Sequence, residues 1–303
     1  MQYGKRFTLL GILAISVGGI AQAETQPLKV ATTFSVLGDL VERVAGDDAD
    51  VTTLTPVGAE VHEWELVPSN FVDLEQADLV FYNGYGLEQW IAQVESSVGD
   101  EVPVIAVAEA SGYDTQPIVT GDLAGEPDPH LWMDPRASAE YARVIATALG
   151  EAKPEAAEAF EARGEALAES LDALHAEILE ALADIPTEQR LLITSEAAFI
   201  YFADAFDFEH DGIWGTNAEE EGTPRQLMRI VDLIEERQPA AIFWESTISD
   251  RHVRSVADET GVVIAGPLYV DSTSAADGEA PDYDAMLRHN AALLSEALGA
   301  SRD

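Results

Sequence analysis

The spacing of apolar residues switches repeatedly between two periods along the chain. Residues 28–33 form a short apolar run of strand length, and residues 36–45 then place Leu37, Leu40, Val41 and Val44 on one helical face. Residues 51–55 return to strand spacing, and 77–82 and 102–107 predict two further strands with a helix around 88–94 between them. A Pro- and Gly-rich loop over 112–129 precedes the next helix, whose start is well marked. Asp134 is placed to accept backbone N–H bonds as N-cap, and Pro135 takes the first helical position, where a missing donor costs nothing. Residues 154–184 are rich in Ala and Glu, keep Phe160, Leu167, Leu171, Leu174, Ile178 and Leu182 at helical spacing, and hold Gly164 as their sole glycine. This predicts one long helix, closed by Pro186. Beyond it the pattern predicts strand 190–194, helix 197–206, helix 224–237, strand 240–244, helix 250–260, strand 261–265 and a terminal helix over 282–298.

Alternating strands and helices predict α/β units around mainly parallel sheets. The long helix separates two stretches of similar element order, and 303 residues exceed what one core usually serves. The expected fold is therefore α/β, with two lobes, each a mainly parallel sheet flanked by helices, joined by one long rigid helix. The expected boundaries are an N-terminal lobe over 24–150, a linking helix over 151–185 and a C-terminal lobe over 186–303. Residues 1–23 read as a secretory signal peptide cleaved after Ala23: Lys5 and Arg6, a 14-residue apolar run over 7–20, then Ala21-Gln22-Ala23. That run is shorter than the ~20 residues that span a bilayer.

Charge narrows the partners. Sixteen Lys and Arg stand against 56 Asp and Glu, a formal charge of −40, which repels phosphate backbones and anionic lipid alike and excludes nucleic acid. Loss of the signal peptide removes Lys5 and Arg6 and no acid, which takes the charge to −42 and leaves Lys29 and Lys153 as the lysines. Such a surface suits a salt-rich, halophilic setting, where screening relieves its self-repulsion. There is no cysteine, so disulfides, thiolate metal sites, cysteine nucleophiles and acylated membrane anchors are excluded, and any metal falls to His, Asp or Glu.

Six histidines divide by position. His175, His252 and His289 lie on predicted helices and His210 lies beside acids in a loop; all four read as solvated surface imidazoles. His62 and His130 lie in loops, the second within Pro127-Asp128-Pro129-His130-Leu131-Trp132-Met133-Asp134-Pro135, and loops at strand carboxyl ends are where open α/β sheets place ligands. The second half offers Glu196 and Asp271 at matching edges. Two imidazoles and two carboxylates would make a mixed nitrogen and oxygen site whose charge balances one divalent cation. Position alone leaves Glu196 equally readable as a carboxylate on a helix dipole, and Asp271 as a turn residue.

Four segments carry a resemblance: residues 58–65 (Gly-Ala-Glu-Val-His-Glu-Trp-Glu), 127–135, 194–202 (Thr-Ser-Glu-Ala-Ala-Phe-Ile-Tyr-Phe) and 268–272 (Leu-Tyr-Val-Asp-Ser). Through them the chain resembles the solute-binding protein 9 family, the zinc- or manganese-binding receptors of bacterial metal ABC importers. The resemblance implies two α/β lobes that close little on binding, and His62, His130, Glu196 and Asp271 as metal ligands. One departure is the first segment, where family members commonly carry Asp-Pro before the His and this chain has Glu60-Val61. Zinc-type members resemble the pattern except for a third His in place of Glu196 and a His-rich insertion before the second His. Absence of both, together with the acidic segment 217–224, resembles the manganese branch, although that segment also reads as a solvated acidic loop. The resemblance thus implies a non-enzymatic, monomeric periplasmic receptor that carries Mn²⁺ to a membrane permease. Alternatives are a zinc (Zn²⁺) or iron (Fe²⁺) receptor of the same importer class, a secreted metal-dependent hydrolase, for which no His-Glu-x-x-His or Gly-x-Ser-x-Gly motif is present, and an adhesive surface protein, for which no anchor is present.

Overall fold

The computed structural model describes Met1 and residues 26–216 and 222–299. The expected signal segment beyond Met1, and residues 217–221 of the acidic stretch 217–224, lie outside the described residues. In the first half, β1 (Leu28–Thr32), α1 (Ser35–Ala45), β2 (Ala49–Thr53), α2 (Pro68–Gln76), β3 (Leu79–Tyr82), α3 (Ile91–Glu95), β4 (Val104–Ala106) and α4 (Val107–Ser111) alternate. The sheet order is β2-β1-β3-β4, all parallel, with Val30 opposite both Val51 and Leu79 and with Val80 opposite Val104. Because the strands are parallel, each must be reached by a crossover, and α1 covers the sheet with the face the periodicity indicated: Val36, Leu37, Leu40, Val41 and Val44 are all buried.

Then follow α5 (Pro135–Ala152) and α6 (Ala157–Ala181), a 25-residue helix about 37 Å long that joins the lobes. Asp134 caps α5 by accepting from the Arg136 N–H, with Pro135 in the first turn. Phe160, Leu167, Leu171, Leu174 and Ile178 of α6, and Leu182 just past it, are all buried. The glycine in this helix has a steric cause: a Cβ on Gly164 would lie 2.6 Å from Ala146 Cβ and 3.1 Å from the Ala142 carbonyl oxygen, so α5 and α6 approach here as only glycine allows.

The second half holds β5 (Leu191–Glu196), α7 (Ile200–Phe206), β6 (Glu209–Trp214), α8 (Pro224–Arg237), β7 (Ala241–Glu245), α9 (Arg251–Thr260), β8 (Val263–Leu268) and α10 (Tyr283–Gly299). The ladders β5-β6 and β7-β8 are parallel, and β5 lies alongside β7. Three elements were not predicted: α2, α4 and β6. The reading of His210 as a loop residue is corrected accordingly, since it stands on β6. The main apolar cluster runs through α1, α5, α6, α7 and α10 without a break between lobes, while a smaller one, including Leu191, Ile193, Trp214, Ile230 and Val253, underlies α8 and α9. The terminal helix returns to the first lobe, where Arg43 of α1 pairs with Asp284 at 2.6 Å. No helix of the described residues is long and apolar enough to cross a membrane.

Candidate metal centre

Both lobes deliver side chains to one buried point. His62 sits in the loop between β2 and α2, held at its carbonyl by the Gln89 N–H and at its neighbour Val61 by the Trp90 indole, which donates to the carbonyl at 2.7 Å. Its own N–H donates to Glu60 Oε1 at 2.8 Å, and Glu63 N–H to Glu60 Oε2, so Glu60, in the stretch that departs from the family pattern, closes this turn. His130 opens the 3-10 turn Leu131–Met133 that precedes α5. The carbonyl of Pro129 accepts from Asn83 Nδ2 at 2.8 Å, and Tyr141 Oη in turn holds Asn83 Oδ1. Glu196 is the last residue of β5, which runs two residues past the predicted strand end at Thr194. Asp271 follows β8, and the Trp132 indole of the first lobe crosses to donate to the Val270 carbonyl at 3.0 Å.

One ligand atom from each of His62, His130, Glu196 and Asp271 lies within 4.8 Å of the others. His62 Nε2 is 3.5 Å from Glu196 Oε1, and His130 Nε2 is 3.7 Å from Glu196 Oε1 and 3.7 Å from Asp271 Oδ1. All four residues are at most 1% exposed. The site is thus a closed chamber at the junction of the lobes and not an open cleft. His62 Nε2, His130 Nε2 and both Asp271 oxygens have no hydrogen-bond partner among the described residues. Buried polar atoms are almost always paired, so converging unpaired donors fit a cation shared among them.

The two imidazoles are pushed in opposite directions. Burial, helped by the charge on His130, drives His62 well below the usual histidine range. Burial also disfavours charge on His130, but the carboxylates of Asp128 and Glu196 outweigh it and raise it to about 10. Asp128 Oδ1 lies 2.9 Å from His130 Nδ1 and accepts the His130 backbone N–H as well, which fixes the ring and leaves Nε2 facing the chamber. Burial raises Asp271 above the ordinary carboxylate range.

The four histidines read as solvated are half-buried instead. His210 contacts Thr194 Oγ1 at 3.0 Å, and burial lowers its pKa to about 3. His175 stacks on Phe206, His252 meets Trp214 edge-on, and His289 meets Tyr269. None of them joins the chamber. Sequence reasoning missed Asp128 and Glu245. Asp128, two residues from His130 between prolines, was visible as a motif member without a role. Glu245 ends β7 and is fully buried; its Oε1 accepts the Glu196 N–H at 3.1 Å, and burial raises it to about 8 despite that bond. Among 56 acids no local signal singles it out.

The chain is similar to known metal-binding proteins over most of its length. A family model described as "ZnuA: Zinc-uptake complex component A periplasmic" matches residues 30–297. The iron-binding protein YfeA of Yersinia pestis is 36% identical over 299 residues, covering 97% of this chain and 95% of the relative. The manganese-binding lipoprotein MntA of Halalkalibacterium halodurans is 36% identical over 285 residues, covering 92% and 93%. Among solved structures, the periplasmic zinc-binding protein TroA from Treponema pallidum superposes with a TM-score of 0.81 at 29% identity, covering 90% of this chain and 99% of that one.

Proposed function

The chain belongs to the ZnuA family, the solute-binding protein 9 receptors of metal ABC importers, and from that premise we propose that it captures Mn²⁺ through His62, His130, Glu196 and Asp271 and passes it to a membrane permease. The observation that carries this reading is the chamber itself, with two imidazole nitrogens and two carboxylates converging within 4.8 Å, fully buried. Two anionic oxygens among the donors balance a divalent charge and favour a harder cation than an all-imidazole set would. The reading places the mature protein in the periplasm after cleavage at Ala23, acting by binding and release without catalysis. Zinc and iron form the second reading, because relatives of comparable similarity are named for iron, manganese and zinc. The Irving–Williams order also makes zinc a strong competitor in any such site.

Metal content of protein purified without added metal, followed by Mn²⁺ against Zn²⁺ competition, tests the cargo. In titration calorimetry His62→Ala, His130→Ala, Glu196→Ala and Asp271→Ala should each abolish or greatly weaken binding, while His175→Ala and His289→Ala leave it near wild type. Wild-type affinity in any of the first four removes that residue from the site. Glu196→His should keep zinc and lose manganese, since a softer neutral nitrogen replaces a hard anionic oxygen. Retained manganese affinity there would refute the carboxylate argument.

A further inference from the structure

Two neighbouring strands of the second lobe, β5 and β7, both end in a fully buried glutamate, and these two residues, Glu196 and Glu245, meet. The ladders in this lobe pair β5 with β6 and β7 with β8, and no backbone ladder between β5 and β7 is present among the described residues. The Glu196 N–H is buried and needs an acceptor, and Glu245 Oε1 supplies it at 3.1 Å. On the other side of the same residue, Thr194 Oγ1 donates to the Glu196 carbonyl, and His210 Nε2 lies 3.0 Å from that hydroxyl. Both peptide groups flanking the Glu196 Cα are therefore held by side chains. Where Glu245 stands, β7 advances two residues from Phe243 while β8 advances three, from Ala265 to Leu268. Such bulges re-aim side chains, and this one lies at the end from which the Asp271 loop leaves.

We propose that Glu245 is a positioning residue for metal selection: its buried carboxyl fixes the backbone of Glu196, and thereby delivers the Glu196 carboxylate where an oxygen-requiring cation needs it. This rests on the reading of Glu196 as a ligand. Zinc is satisfied by tetrahedral sites that include three protein ligands and one water, so His62, His130 and Asp271 suffice to hold it if Glu196 drifts. Mn²⁺ prefers more oxygens and a larger coordination number, and it depends more on that carboxylate. Loosening Glu245 therefore costs manganese more than zinc.

The test uses the full mature chain, stripped of metal, in direct and competitive titrations with Mn²⁺ and Zn²⁺, and records the electron paramagnetic resonance spectrum of bound Mn²⁺. Glu245→Met conserves volume and removes the acceptor; Glu245→Gln keeps an oxygen that can accept the Glu196 N–H; Glu196→Ala is the reference. Glu245→Met should lose about 10- to 100-fold in manganese affinity, lose less for zinc, and change the spectral line pattern, while Glu245→Gln stays close to wild type in all three. An unchanged Mn²⁺ to Zn²⁺ ratio in Glu245→Met, an equal loss for both metals, or a Glu245→Gln as impaired as Glu245→Met would each overturn the proposal. If Glu245→Met does not fold, Glu245→Asp, one methylene too short to reach, is read by the same outcomes. Wild-type binding in Glu196→Ala would instead refute the ligand assignment on which the proposal rests.

Discussion

Two imidazoles whose centroids lie 5.4 Å apart share one chamber yet are pushed in opposite directions, and the largest upward influence on His130 is Asp128, 2.9 Å from its Nδ1. The nearest carboxylate to His62 is Glu196, at 3.5 Å, and burial lowers the His62 pKa; His130 has Asp128 at 2.9 Å and is raised to about 10. In the proposed site a metal takes the lone pair on His130 Nε2, so at neutral pH it must displace the proton held there. The sign follows: a raised ligand pKa weakens apparent affinity below that pKa, by about tenfold for each unit of falling pH once one proton is displaced per ion. Calorimetry of Mn²⁺ binding at pH 7 in buffers of differing ionisation enthalpy should therefore show about one proton or more released per ion. No release would mean that His130 is already neutral before the metal arrives.

Among the elements, the α5/α6 pair decides how the lobes are held. Arg163 of α6 reaches back to the carbonyls of Val44 and Ala45 and to Asp48 Oδ2 at the end of α1, and Arg288 of α10 pairs with Glu177 of α6 at 2.8 Å. The tightest contact is at Gly164. For Gly164→Ala, helix propensity alone would stabilise by about 1 kcal/mol, but a methyl 2.6 Å from Ala146 Cβ forces the helices apart at a cost of about 1–3 kcal/mol. The clash should win, because Ala146 has no flexible end to move aside. A lower urea midpoint with an unchanged slope is the expected result, and a midpoint at or above wild type would show that the helices separate freely. The glycine was legible in the sequence; the partner that requires it was not, since it lies on another helix.

For the whole molecule, electrostatics sets stability against capture. The few cations mostly serve as struts, such as half-buried Arg43 to Asp284 and exposed Arg288 to Glu177, and an exposed pair like the second contributes at most about 1 kcal/mol. The excess of 56 acids over 16 bases opposes folding in dilute buffer. Salt at 1 M shortens the screening length to about 3 Å and should raise the melting temperature of the metal-free protein. The same screening weakens the anionic field that gathers divalent cations, so manganese affinity should fall modestly over that range. Melting and binding series in chloride and in a non-coordinating anion check both, and a melting temperature that stays flat or falls would refute the halophilic reading.

The sequence by itself determined the α/β alternation, the long joining helix with its buried stripe, the Asp134-Pro135 start of α5, and, through resemblance, the four residues that converge. These are local patterns: periodicity and capping act within a few residues of chain. It did not reveal α2, whose buried positions are just Asn70 and Leu74, or β6, whose first half, Glu209-His210-Asp211, is polar. Nor could it predict that Asp128 lies 2.9 Å from His130 and raises its pKa, or that Glu245 accepts the Glu196 N–H from a neighbouring strand. Tertiary structure decided those. The chemical state of a buried group depends on what distant segments bring against it and on how completely they exclude water, and neither is encoded in spacing along the chain.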